Sequence, residues 1–166
     1  MAWDVSVSTW DYELEREPVA KGAQGTVYYG VRNDGLKVAV KIASNSRHAI
    51  KALRREVDLL RVLAKLGVGG VVECLDAIDV DGRPGMVMQR YQGNLHQWLG
   101  DVLREPGVES LYDVLSKCGQ LAYVLGRVHK AEYEGGNVVH RDVKPENVFL
   151  DADGEPWLGD FGGAMK

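Results

Sequence analysis

The order in which hydrophobic patterns change along the chain constrains its fold more than any other feature. From Val19 to Ile42 the residues read strand, turn, strand. Thr26-Val27-Tyr28-Tyr29 is β-branched and aromatic, as strands prefer, and Asn33-Asp34-Gly35 is a hairpin turn signal. Lys37-Val38-Ala39-Val40-Lys41-Ile42 returns as the partner strand, its lysines on one side and Val38, Val40 and Ile42 on the other. Ile50, Leu53, Val57, Leu60 and Leu63 then recur at helical spacing, which predicts a helix over 46–66 with Gly67 as its C-cap. Strands are expected around Val71–Val80 and Met86–Gln89, joined by Asp81-Gly82-Arg83-Pro84-Gly85. After Tyr91-Gln92-Gly93 the character changes. A short helix over Asn94–Arg104 is stopped by Pro106-Gly107, and a longer one over 109–131 places Leu111, Leu115, Cys118, Leu121, Leu125 and Val128 on one face. Two short strands, Asn147–Leu150 and Pro156–Gly159, close the pattern around Asp151-Ala152-Asp153-Gly154.

This order predicts an α+β fold: a small antiparallel sheet carrying one long helix, followed by a mainly helical part. Residues 1–17 are acidic and tryptophan-bearing and read as either a leading strand or a loosely packed lead-in. The expected segments are 1–17, 18–90 and 91–166, with a hinge at about 90–93.

Composition excludes several classes. Hydrophobic residues at 45% and charged residues at 27% are those of a globular chain, and a net charge of -4 gives no reason to expect nucleic acid or an anionic membrane as partner. The longest apolar runs are too short to span a bilayer. Met1-Ala2-Trp3-Asp4-Val5-Ser6 lacks the basic start and apolar core of a signal peptide. Cys74 and Cys118 are far apart and lack metal-ligand spacing, so two buried reduced thiols and a cytoplasmic setting are expected. His129 is expected to pack at the end of the longer helix, and His48 and His96 to lie at the surface.

The chemistry is concentrated in His140-Arg141-Asp142-Val143-Lys144-Pro145-Glu146-Asn147. This segment resembles, residue for residue, the H-R-D-x-x-x-x-N catalytic loop of eukaryotic-type protein kinases. Phosphoryl transfer asks little covalent help of a protein. It needs an oriented hydroxyl and neutralised phosphate charge. The resemblance implies that Asp142 accepts the substrate hydroxyl's proton, that Lys144 sits beside the transferring phosphate, and that Asn147 binds a metal ion through its amide oxygen. Asp160-Phe161-Gly162, behind the last pair of strands, resembles the family's D-F-G motif. Asp160 would hold Mg²⁺, since hard oxygen ligands suit that ion. Phe161 would pack inward beneath the long helix, with His140 supporting it.

Lys41, in Val38-Ala39-Val40-Lys41, resembles the V-A-I-K lysine that contacts the α- and β-phosphates. Its expected partner is Glu56, which shares the apolar face of the helix with Leu53 and Leu60 and therefore needs a compensating charge. Ala20-Lys21-Gly22-Ala23-Gln24-Gly25-Thr26-Val27 resembles the glycine-rich loop, with Ala20 replacing the first glycine while Gly22 and Gly25 let the backbone approach phosphates. By the same resemblance Val27 and Ala39 form the roof of the adenine pocket and Phe149 its floor, where the family usually has leucine. Met88 is its gatekeeper and Gln89-Arg90-Tyr91 its hinge.

The resemblance implies a protein kinase-like fold, with a five-stranded antiparallel N-lobe bearing one helix and the first part of a mainly helical C-lobe, ATP lying between them and Mg²⁺ as cofactor. It covers about residues 18–166. Lys144-Pro145-Glu146 is similar to the serine/threonine branch, so the expected activity is transfer of the γ-phosphate of ATP to a protein hydroxyl. An A-P-E motif and further helices normally follow the D-F-G motif, which leaves room for a missing C-terminal half or a partner chain. Apolar surface is therefore expected on the Leu111–Val128 helix, with marginal stability and weak protein phosphorylation. The alternative is a kinase-like module that binds nucleotide or a partner without turnover. Small-molecule kinases of the antibiotic- or choline-phosphorylating type are disfavoured by Arg141 and Lys144.

Overall fold

In the computed structural model, residues 10–104 and 107–165 are described. The first nine residues of the expected lead-in, Pro106 of the expected helix stop, and Lys166 lie outside the described residues. The described residues divide into two compact units, one running up to Arg61 and resuming over Glu73–Arg90, the other formed by Val62–Val72 and the residues from Tyr91 onward.

The first unit is built on an antiparallel sheet. Its strands are Tyr12–Leu14 (β1), Ala20–Lys21 (β2), Gly25–Arg32 (β3), Lys37–Ala43 (β4), Cys74–Val80 (β5) and Arg83–Gln89 (β6). Five follow the order β1-β3-β4-β6-β5, and the two-residue β2 pairs with β3 in addition. The lead-in thus supplies a leading strand. Asn33-Asp34-Gly35 closes the β3–β4 hairpin as its residues demand: Gly35 takes φ 89°, and the Asp34 carboxylate accepts from Arg32 Nε and the Leu36 N–H. Val38, Val40, Ile42 and Val87 form the buried layer, with Tyr12, Leu14, Tyr28, Ile78 and Val80 against it.

One hairpin differs from the expectation. Arg83, Pro84 and Gly85 belong to β6, and the turn is Asp81-Gly82 alone. Both residues have positive φ, 53° and 77°, the two-residue turn whose twist suits adjacent strands. Pro84 is tolerated because it lies beyond the β4–β6 ladder, which ends at Gly85.

The helix Arg47–Lys65 (α1) starts at Ser46, whose Oγ accepts from the Ala49 N–H at 3.1 Å. It ends at Gly67, φ 67°, where the Gly67 and Val68 N–H groups bond back to Ala64 and Leu63 and satisfy carbonyls the helix cannot.

The second unit holds the helices Leu95–Val102 (α2) and Val108–Val128 (α3). It also holds the strands Gly93–Asn94 (β7), Glu132–Tyr133 (β8), Gly136–Asn137 (β9), Val148–Leu150 (β10) and Pro156–Leu158 (β11). Asn94 and Gln97 form a capping box at α2, their side chains each bonded to the other's backbone N–H. β10 lies between β11 and β7, with Phe149 opposite Trp157 on one side and Asn94 on the other.

Residues 71–73, expected to open β5, do not pair in the first unit. Val71 bridges Leu158 and the Val72 N–H donates to the Leu158 carbonyl at 2.9 Å, which is why Val62–Val72 groups with the second unit.

Helix α3 is half covered. Leu121, Val124 and Val128 are buried, whereas Leu111 and Leu115 are 59% and 58% exposed, and Tyr112 is 70% exposed. The expected apolar exposure on this helix is present. Two smaller expectations fail. Cys118 lies on the uncovered half and is exposed, and Cys74 on β5 is only half-buried, so neither thiol has the full burial expected. His129 caps the helix end at the surface instead of packing, because the last inward position is Val128. Among the described residues no helix is long and apolar enough to cross a membrane.

Candidate active site

In the first unit, strand β4 points Lys41 toward α1. Its Nζ lies 2.8 Å from Glu56 Oε2, and Glu56 is only 1% exposed. A carboxylate buried this completely on an apolar helix face is tolerated because the ammonium offsets the lost hydration. Val27 sits opposite Lys41 in the β3–β4 ladder, and Ala39 opposite Met88 in the β4–β6 ladder. Ala20 pairs with Val27, and the Gly22 N–H bonds the Gly25 carbonyl at 2.9 Å, so Gly22–Gly25 is a tight hairpin end. Ser44 holds that turn, its N–H bonded to the Gln24 carbonyl and its Oγ to that of Ala23.

The two loop glycines differ. A Cβ on Gly25 would stand 2.4 Å from the Ile42 carbonyl oxygen, so glycine is required there by β4 itself. A Cβ on Gly22 would meet nothing closer than 3.9 Å, which leaves its backbone open to a ligand.

In the second unit, the segment from His140 to Asn147 folds back on Asp142. Lys144 Nζ donates to Asp142 Oδ2 at 2.8 Å, and Asn147 Nδ2 donates to the same oxygen at 3.0 Å and to the Asp142 carbonyl at 2.9 Å. The hydrogen bond from Lys144 holds the Asp142 carboxyl below the usual carboxylate range, so it is ionised at neutral pH. The same contact raises the Lys144 ammonium. Because Asn147 spends its NH₂ on Asp142, its amide oxygen is the end offered to a cation.

His140 underlies this loop. It is buried, its Nε2 is 2.8 Å from the Gly159 carbonyl, and its Nδ1 accepts from the Asp142 N–H at 3.3 Å. A carbonyl partner requires a proton on Nε2, and an N–H partner requires a bare Nδ1, so the neutral ring satisfies both. Burial lowers the pKa in the same direction. The ring packs edge-on against Phe161, centroids 4.5 Å apart. Arg141 and Asp160 both take positive φ, 70° and 57°, a conformation that non-glycine residues hold only when neighbours impose it. At Asp160 the imposing contacts flank it: Gly159 donates to the Asn147 carbonyl, and Phe161 is buried.

The model of the protein kinase domain family matches residues 14–166. The chain belongs to the protein kinase family. It is 30% identical over 159 residues to a cysteine-rich receptor-like protein kinase, number 42, of Arabidopsis thaliana, which covers 92% of this chain and 23% of that protein. It is 33% identical over 162 residues to the leucine-rich repeat receptor-like protein kinase PEPR1 of the same plant, covering 89% and 13%. A probable LRR receptor-like serine/threonine-protein kinase, also of Arabidopsis thaliana, is 32% identical over 163 residues, covering 96% and 17%. The chain therefore spans about a quarter or less of the length of these relatives.

Within the kinase family's pattern, the structure gathers the expected site residues in two groups, each in its own unit. Lys41, Glu56, Val27, Ala39, Met88 and the Ala20–Gly25 hairpin form one. Asp142, Lys144, Asn147, Asp160, Phe149 and Tyr91 form the other. Gln89 is exposed at the end of β6, whereas Tyr91 is buried and stacks on Phe149, centroids 5.6 Å apart. The donor set fits a hard cation: the Asn147 amide oxygen and the Asp160 carboxylate are both oxygen ligands. No cluster of three histidine, cysteine or acidic residues forms among the described residues.

Three residues that brace the second group were not read from the sequence. Gly159 carries backbone bonds on both sides, Trp157 stands against Tyr91, and Asp151 anchors Trp157. The only signal for Gly159 was a small residue next to Asp160. Nothing in the spacing pointed to the other two.

Proposed function

We propose that this kinase-family chain transfers the γ-phosphate of ATP to a serine or threonine hydroxyl of a protein. The observation that carries this reading is the Asp142 carboxylate, ionised and fixed by Lys144 and Asn147. Asp142 accepts a hydrogen bond from the incoming hydroxyl, orients its oxygen, and takes its proton as the new P–O bond forms and the bond to the ADP oxygen breaks. Lys144 places positive charge beside the transferring group. Lys41, held in place by Glu56, binds the α- and β-phosphates. Asn147 and Asp160 would hold Mg²⁺, which when bound neutralises phosphate charge. The base contacts proposed in the first unit are Val27, Ala39, Met88 and the backbone of Gln89, and those proposed in the second are Phe149 and the backbone of Tyr91. The serine/threonine preference is supported by Lys144-Pro145-Glu146 and by the likeness to a probable receptor-like serine/threonine-protein kinase. A reducing, cytoplasmic setting suits the two free thiols.

A second reading has one observation in its favour. The uncovered apolar half of α3 suits a chain that binds nucleotide while docked on a partner, without turnover. Titration with ATP, run beside transfer of radiolabelled phosphate to a generic protein substrate, separates the two. Transfer by the wild-type chain that drops by about 10²- to 10⁴-fold in Asp142→Asn, with binding retained, supports the enzyme. Binding with no transfer by the wild type supports the second reading, and no binding at all refutes both.

A further inference from the structure

We propose that Gly159 and the aromatic row Trp157, Tyr91 and Phe149 fix the plane on which the purine base of the nucleotide stacks, with Phe149 as the contacting ring. This rests on the nucleotide-binding reading above and adds positioning residues to it.

The row begins at Asp151, whose Oδ2 accepts from the Trp157 indole N–H at 2.8 Å. Burial works to raise this carboxyl's pKa, but the indole bond and the backbone N–H groups of Glu155 and Asp153 outweigh it, so the anchor stays ionised. Trp157 lies opposite Phe149 in the β10–β11 ladder and leans on Tyr91, centroids 6.1 Å apart. Tyr91 in turn stacks on Phe149 with the ring planes 30° apart. On β10, Val148 and Leu150 are buried while Phe149 between them is only half-buried, so its ring retains exposed surface on the opposite side of the strand. Both the tilt and the position of that ring are set by side chains outside the catalytic loop.

Gly159 limits the ring from the other direction. A Cβ there would lie 2.7 Å from Phe149 Cε2 and 2.9 Å from Val72 Cγ2, inside any real contact distance. Its backbone cannot move aside. The Gly159 N–H is held by the Asn147 carbonyl at 2.9 Å, and its carbonyl by His140 Nε2 at 2.8 Å. An added methyl must therefore push on Phe149 or Val72. A leucine at 149 would not need this space, so the large floor residue and the missing side chain at 159 compensate each other. Aromatic rings stack well on purines and less well on pyrimidines, so ring placement sets base preference as well as affinity.

The test measures dissociation constants for a fluorescent ADP analogue, and for ADP against CDP in competition, with wild-type chain, Gly159→Ala, Trp157→Phe, Phe149→Leu and the double variant Gly159→Ala/Phe149→Leu. Thermal midpoints are recorded in parallel. The expected result is about a tenfold loss of ADP affinity in Gly159→Ala with a narrowed ADP-over-CDP ratio, and a smaller change in the same direction in Trp157→Phe. Phe149→Leu removes the stacking ring and should lose affinity and selectivity by itself, and the double variant should lose little beyond it, because the smaller side chain leaves room for the methyl that Gly159→Ala adds. Wild-type affinity and selectivity in Gly159→Ala overturn the inference, as does a further loss of similar size when Gly159→Ala is added to Phe149→Leu. If Gly159→Ala does not fold, unchanged selectivity in Trp157→Phe overturns it. A wild-type chain that binds no nucleotide overturns the nucleotide-binding reading together with this one, whereas wild-type binding with indifferent variants overturns this one alone.

Discussion

Two ion pairs of equal length, one in each unit, stand in opposite surroundings. Lys41–Glu56 and Lys144–Asp142 both measure 2.8 Å, but Glu56 is 1% exposed while the side chains of Lys144 and Asp142 are each 46% exposed. The buried pair is part of the framework of the first unit, since neither charge can be left without the other. The open pair contributes little to stability, and its charges remain available to a substrate. Distance alone assigns these pairs the same role; solvent separates them. The same contrast runs through the apolar surface. The inner layer of the first sheet is closed around Val38, Val40 and Val87, whereas half of α3 in the second unit faces water.

The largest expected effect breaks the buried pair. Glu56→Ala should lower unfolding free energy by about 3–5 kcal/mol in urea titrations, since it strands the Lys41 ammonium, while a Lys41→Met/Glu56→Leu double variant should regain most of that loss. Lys144→Ala should leave the urea midpoint close to wild type. Equal losses at the two sites would erase the contrast.

A pH experiment sharpens it next. The buried neutral His140 has its pKa lowered from the usual 6.5 by desolvation. Below about 6.5 the unfolded chain takes up a proton that the folded chain refuses, so this group's contribution to stability falls as pH falls from that value. The wild type should therefore lose stability more steeply than His140→Gln between about pH 6.5 and about pH 5, by at most roughly 1.4 kcal/mol per pH unit. Parallel curves would show that His140 titrates as in water.

The remaining effects are small in stability. Replacing Leu111 and Leu115 with lysine should shift unfolding by no more than about 0.5 kcal/mol while raising solubility, because neither side chain is covered. Among the thiols, Cys118 should alkylate readily at neutral pH in the native chain. Cys74, pushed up to about 11 chiefly by burial, should react much more slowly than Cys118 in the native chain, as mass spectrometry of the labelled chain would reveal.

Much of this was legible in the sequence because it depends on local order. The β3–β4 hairpin follows from Asn33-Asp34-Gly35, α1 from its apolar spacing, and the inward position of Glu56 from its place between Leu53 and Leu60. Where the reading failed, the cause was a competing long-range contact. Residues 71–73 read as strand, yet Val71 and Val72 are drawn to Leu158. Cys118 sits on an apolar stripe whose first half has nothing against it among the described residues. Gly25 looked like a concession to phosphate, but the Ile42 carbonyl already demands it.

Residue order by itself determined the family, the succession of elements and the identity of the charged groups, because motif spacing and hydrophobic period are properties of neighbours in the chain. Only the tertiary structure decided which charges are buried, which tautomer His140 carries, and why glycine must stand at 159. Those depend on solvent access and on atoms brought within a few ångströms from distant segments, and no period along the chain encodes them.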